Sequence, residues 1–195
     1  EQSEGVFTTF NWGDAQFFLL DDRYFRSPQN RITGDKTMLG NQQFEWLIDA
    51  LSFSKASFKI IVIGGQVINA VPDTENYGHY PEEKEKLLKE ISENKIKGLM
   101  FLTGDRHFAE MSILPREGTY PLYDWTVSPL TAGIEPVKVL NEDNKYKVQG
   151  SAFVQNNFGT ISFSGNKENR QMKLTLFDIN GNELWNKVIL KKELE

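Results

Sequence analysis

The sequence predicts an α/β fold that closes on an antiparallel β-meander, and three observations carry that prediction. Between residues 16 and 107, apolar runs alternate with amphipathic helical segments in the order β, α, β, α, β, the pattern of parallel strands joined by helical crossovers. Each run stops at a polar or glycine-rich cluster: Asp21-Asp22-Arg23, then Gly64-Gly65-Gln66, then Gly104-Asp105-Arg106-His107. From Gly159 onward the apolar residues recur at the period of strands with one buried face.

Taken in order, Phe7-Thr8-Thr9-Phe10 is aromatic and β-branched, and Asn11-Trp12-Gly13-Asp14 has turn chemistry. Gln16-Phe17-Phe18-Leu19-Leu20 suits a strand covered on both faces. A polar loop follows Asp21. Asn41 is placed to cap a helix whose Phe44, Leu47, Ile48 and Leu51 fall at i, i+3, i+4 and i+7. Phe58 to Ile63 is the next buried strand, and the stretch from Gln66 to Tyr80 reads as a long polar loop. Pro81 opens a second helix, with Glu82 and Glu83 in the first turn, where the macrodipole favours acids. Leu87, Leu88 and Ile91 make its apolar stripe, and Glu82 to Glu90 reads as a solvated face of mixed charge. Gly98 to Thr103 is the third strand.

Residues 121 to 150 read as loop, with Ser128-Pro129 and Thr131-Ala132-Gly133 within it. Ile161 and Phe163, then Met172, Leu174 and Leu176, then Leu184, Val188 and Leu190 mark the meander, and Asn180-Gly181 predicts a type I′ hairpin between its last two strands. The expectation is one domain over 1–195, an α/β part to residue 120 and loop plus antiparallel strands from 121.

Composition narrows the function classes. The 22 Lys+Arg against 27 Asp+Glu leave a net charge of −5, which argues against nucleic acid or an anionic membrane as the main partner. The longest apolar run, Ile60-Ile61-Val62-Ile63, is far from the roughly 20 residues a membrane span requires. The absence of cysteine excludes disulfides, thiolate metal sites and a Cys nucleophile. With only His79 and His107, a metal site built mainly from imidazoles cannot be assembled. The start, Glu1-Gln2-Ser3-Glu4-Gly5, has neither an initiator Met nor a signal region, and the expectation is a processed chain or a fragment.

Ligands of open α/β sheets bind beyond the carboxyl ends of the strands, so the three polar clusters define one candidate edge. In Gly104-Asp105-Arg106-His107 a carboxylate and an imidazole two residues apart can reach one cation, with Arg106 between them for a phosphate. The same residues also suit a plain loop with an Asp–Arg ion pair and a half-buried His. Asp21-Asp22-Arg23-Tyr24-Phe25-Arg26 offers guanidinium forks to phosphate oxygens, or simply neutralises itself on a surface. His79 is left outside the core site, and Trp125 and Trp185 read as packing residues. No G-x-S-x-G, G-x-x-x-x-G-K-[ST] or G-x-G-x-x-G is present.

The order of motifs is itself informative. Leu20-Asp21-Asp22-Arg23 is followed by Leu39-Gly40-x-Gln42-x-x-x-Trp46-Leu47, Gly64-Gly65-Gln66, Gly78-x-Tyr80-Pro81-x-Glu83 and Gly104-Asp105-x-His107. Ser128-Pro129-Leu130-Thr131-Ala132-Gly133 and Asn157-Phe158-Gly159 complete the series. Together they resemble the alkaline phosphatase D (PhoD-like) metallophosphatase family. The resemblance implies the C-terminal portion of a calcineurin-like metallophosphoesterase α/β sandwich and metal-dependent hydrolysis of phosphate mono- or diesters. It implies His107 as a metal ligand, Asp105 as a ligand or orienter, Gln66 where a histidine-type ligand would sit, and Arg23 with Arg106 for phosphate.

The cofactors implied are divalent or trivalent metal ions such as Ca, Fe, Mn or Zn. The family's other ligand motifs, of the G-D-x-x-Y and Asn-His-Asp type, are absent here. The expected partners are therefore a phosphate ester substrate and a missing N-terminal half of the same protein, with this chain inactive alone. The family implies export in a bacterium. A non-catalytic binding or structural module on the same scaffold is the alternative.

Overall fold

A computed structural model describes residues 4–69, 71, 76–134 and 140–195. The elements run β1 (Thr8–Trp12), β2 (Ala15–Leu19), α1 (Gly40–Phe53), β3 (Phe58–Val62), α2 (Pro81–Glu93), β4 (Leu99–Thr103), β5 (Glu110–Leu114), β6 (Leu122–Thr126), β7 (Asn157–Ser164), β8 (Gln171–Asp178) and β9 (Glu183–Leu190). The first six strands form one sheet in the order β1-β2-β3-β4-β6-β5. β2, β3, β4 and β6 are mutually parallel, with Phe17 beside Ile60, Ile60 beside Met100 and Leu102 beside Trp125. β1 and β5 pair antiparallel at the two flanks. All four parallel strands therefore deliver their carboxyl ends to one edge.

β7, β8 and β9 form a separate antiparallel sheet. Phe163 packs on Phe58 with ring centroids 5.5 Å apart, and Trp185 packs on Trp125 at 5.8 Å. Met172, Leu174 and Leu176 of β8 share a buried cluster with the α1 stripe, Leu87 and Ile91 of α2, and the parallel strands. The apolar positions read for α1, and Leu87, Ile91, Met172, Leu174 and Leu176, are removed from water, the main favourable term in folding, whereas in β9 the expected Val188 is exposed and Ile189 is the buried residue.

Several expectations change. The first turn is Gly13-Asp14, because Asn11 and Trp12 continue β1 opposite Gln16 and Ala15. Asn41 is not the N-cap of α1. The helix begins at Gly40, and Leu39, which has no side-chain acceptor, stands in the cap position. Its opening amides are instead met by Glu83 of α2, whose carboxylate accepts from the N–H groups of Met38 (2.6 Å), Leu39 (3.1 Å) and Gly40 (3.0 Å). Glu83 is therefore buried and not part of a solvated face.

The segment read as loop from 121 begins with β6, fully buried between β4 and β5. Residues 135–139 of that segment, and residues 70 and 72–75 of the Gln66–Tyr80 stretch, lie outside those described. The start of that stretch is not solvated: Gln66, Val67, Ile68 and Asn69 are all buried. At the last hairpin only Gly181 is left-handed (φ +82°), whereas a type I′ turn requires positive φ at Asn180 too. The turn is held by Asp178, whose Oδ1 accepts from the amides of Asn180 (2.8 Å) and Asn182 (2.9 Å).

Candidate functional site

The first cluster on the sheet edge is set by Asp21. Its Oδ1 accepts from the amides of Arg23 and Tyr24, both at 2.9 Å, and its Oδ2 from Val6 at 3.0 Å. Burial pushes its pKa up, but the amides of Tyr24, Arg23 and Val6 outweigh that and hold it below the ordinary carboxyl value. Gln43 of α1 makes a reciprocal pair with the Asp21 backbone, accepting from its N–H at 2.7 Å and donating to its carbonyl at 2.8 Å. Asp21 thus shapes the turn that presents Arg23.

Asp22 joins this turn to the next strand end, accepting from the amide of Gly65 at 3.1 Å. A Cβ at Gly64 would sit 2.4 Å from Asp22 Oδ2, so a side chain there would displace the carboxylate that accepts from Gly65. The Arg23 side chain, 57% exposed, reaches Asp22 Oδ1 at 3.6 Å and Asp105 Oδ1 at 4.0 Å. The first and third clusters, more than 80 residues apart in sequence, therefore meet.

The Gly104–His107 segment is the most strained backbone at this edge. Asp105 (φ +63°) and His107 (φ +56°) are both left-handed, a conformation costing a non-glycine residue roughly 1–3 kcal/mol. The amide of Arg106 donates to the carbonyl of Gly104 at 2.7 Å, closing a γ-turn on Asp105. Gly104 donates to the Gly64 carbonyl at 2.8 Å. His107 donates its N–H to Ser128 Oγ at 3.1 Å, and the cis Ser128–Pro129 peptide is gripped by Asn157, whose Nδ2 reaches the Ser128 carbonyl at 2.6 Å. Strain of this kind persists only where the surroundings over-determine it, and it concentrates at functional sites.

Arg106 and Gln66 do not face the rim. Arg106 is 3% exposed, and its guanidinium donates to Gln66 Oε1 at 2.7 Å and Glu142 Oε1 at 2.6 Å. Gln66 Oε1 also accepts from Asn69 at 3.0 Å, so both of its lone pairs are used, and its amide nitrogen donates to Thr126 at 2.8 Å. The fold thus turns the expected phosphate contact of Arg106 and the expected metal contact of Gln66 inward, because burying a guanidinium demands acceptors and these are the ones at hand. The structure brings together Arg23 and Asp105, with His107 on the same turn. Glu142 and Asn69 were not singled out from the sequence, and no local pattern marks either.

Beneath this lies Asp124 of β6, fully buried, accepting from the amides of Val67 and Ile68 and the hydroxyl of Thr103, all at 2.8 Å. Lys84 of α2 donates to the carbonyls of Ile68 (3.0 Å) and Asn69 (3.3 Å). Burial pulls its pKa down to about 8, with Asp124 opposing and Lys145 adding to the shift. Between about 8 and the ordinary 10.5 the unfolded chain carries the extra proton, so this group makes stability rise with pH across that window. Melting temperatures at pH 7.5 and 9.5 are expected to rise more for the wild type than for Lys84→Met. Equal slopes would remove Lys84 as the source.

Among the described residues no three His, Asp or Glu side chains gather as a metal group. Asp22 is occupied by Gly65 and Arg23, and Asp105 faces the Arg23 cation. These residues do not fit a complete metal site by themselves. Nor is any helix among the described residues long and apolar enough to cross a membrane.

A family model for PhoD-like phosphatases matches residues 1–176. The chain belongs to the PhoD-like phosphatase family. It is 25% identical to alkaline phosphatase D of Bacillus subtilis (strain 168) over 52% of this chain and 21% of that protein. A solved structure of PhoD superposes with a TM-score of 0.70 at 18% identity, covering 94% of this chain and 40% of the other. This PhoD-like chain therefore spans about a fifth of the curated relative and two-fifths of the solved one. The family and the mixed α/β architecture with its separate antiparallel sheet are as the motif order implied. Membership indicates a hydrolase family acting on phosphoesters.

Proposed function

We propose that the chain forms one rim of a phosphate mono- or diesterase site. The observation that carries this reading is the strained Asp105–His107 turn held beside Arg23 at the carboxyl edge of the parallel sheet. The Arg23 guanidinium offers charge-assisted hydrogen bonds to phosphoryl oxygens, and these strengthen as negative charge develops on them. Asp105 sets the direction of that guanidinium, and His107 supplies the imidazole on the same turn. The turn is held by a main-chain bond from Arg106 to Gly104 and by the Ser128 hydroxyl on the His107 amide, neither of which depends on substrate.

Metal dependence belongs to the proposal as well, and its remaining ligands would come from polypeptide beyond these 195 residues, as would any export signal. The short span relative to the relatives supports that division. The test is elemental mass spectrometry and turnover of a chromogenic phosphodiester on this chain and on a longer protein containing it. Metal and turnover in the longer protein alone are the expected result. If neither protein binds metal or turns over, the catalytic reading falls and a recognition module on this scaffold replaces it.

A further inference from the structure

Arg106 stands between Asp105 and His107, two of the residues the proposed function uses, yet it is the most deeply buried of the three. Its side chain is 2% exposed against 37% for that of Asp105, and left-handed backbone flanks it on both sides. Inside, it rests on the Phe108 ring at 4.9 Å and holds two acceptors. One is Gln66 from the end of β3. The other is Glu142, 7% exposed at its side chain, whose second oxygen accepts from Asn69 at 2.9 Å.

Such a pair is a poor way to gain stability. Taking both charges out of water is costly, and apolar residues of similar volume commonly do as well. What a buried guanidinium–carboxylate pair offers beyond a methionine or leucine is direction: each bond fixes a donor and an acceptor in space. Here the bonds pin the residue that closes the γ-turn and lies between the two left-handed ones, and among the described residues the amide of His107 is tied to the Ser128 hydroxyl.

We propose that the Arg106–Glu142 pair is the positioning device of this site, holding the Asp105–His107 turn in its left-handed form from beneath while touching neither substrate nor metal. The inference rests on the phosphoesterase reading for its functional consequence, but its structural half can be measured without it. Glu142 reaches the turn from 36 residues further along the chain, so the segment that carries it becomes part of the site's support.

The test is Glu142→Gln in the full-length protein, with Glu142→Asp and His107→Ala beside it. The amide keeps the shape but leaves the Arg106 charge without its counter-ion. We expect hydrogen exchange at the His107 amide to quicken about tenfold, kcat to fall about 10–100-fold with KM little changed, and Glu142→Asp to recover part of both, the scale typical of outer supports of a site. A lowered melting temperature with exchange at His107 and kcat unchanged would make the pair a packing feature and overturn the proposal. If wild type turns over and His107→Ala does not, yet Glu142→Gln behaves as wild type, the positioning inference alone fails. If wild type is inert, the phosphoesterase reading fails, and exchange at His107 still decides whether the pair holds the turn.

Discussion

His107→Ala in a longer protein containing this chain is expected to lower phosphoester turnover by about 100-fold or more and to lower bound metal with it, as the ligand role proposed for His107 requires. Arg23→Ala is expected to behave differently. Loss of one donor aimed at developing charge costs roughly 10²-fold in turnover, and the metal should stay. Kinetics and elemental analysis on the two variants side by side separate the roles. Equal metal retention in both would remove His107 from the ligand set. Metal loss on Arg23→Ala would instead mean that the guanidinium, 4.0 Å from Asp105, holds that carboxylate in place and does not act on phosphate directly.

The largest stability effect is expected at Glu83. Truncation to alanine leaves the amides of Met38, Leu39 and Gly40 without the acceptor they share, in a buried position where water does not replace it readily. Unsatisfied buried donors and the lost favourable charge at a helix N-terminus together amount to about 3 kcal/mol. For a chain of this size that corresponds to a melting temperature lower by about 6–12 °C. Glu82→Ala, a neighbour exposed on the same helix turn, should change it by no more than about 2 °C, since surface substitutions are nearly neutral. Equal shifts for both would show that Glu83 acts through helix α2 alone and does not cap α1.

The elements that were legible share a property: their signal is local. Phe44, Leu47, Ile48 and Leu51 announce α1 because one helix face must be apolar, and Phe58 to Ile63 announces β3 because, Lys59 apart, its run is apolar as a doubly covered strand requires. Pro81 marks the start of α2 through its own fixed φ. β6 escaped because Asp124 interrupts it. A carboxylate in a central strand reads as loop until Thr103 and the amides of Val67 and Ile68 arrive to satisfy it.

The site divides along the same line. Residue types and their order were enough to indicate the family and to nominate the sheet edge, the Gly104–His107 turn and Arg23 as candidates, because those depend on which side chains follow which strand. Which of them face outward was decided only by tertiary structure. Arg106 and Gln66 look as eligible as Asp105 and His107 in sequence, but Glu142, Asn69 and Thr126 come from distant segments to bond them, and a buried charge or amide goes where its partners are. The cap of α1 passed from Asn41 to Glu83 for the same reason: an acceptor some 40 residues away in the chain lies nearer in space than the one beside the helix in sequence.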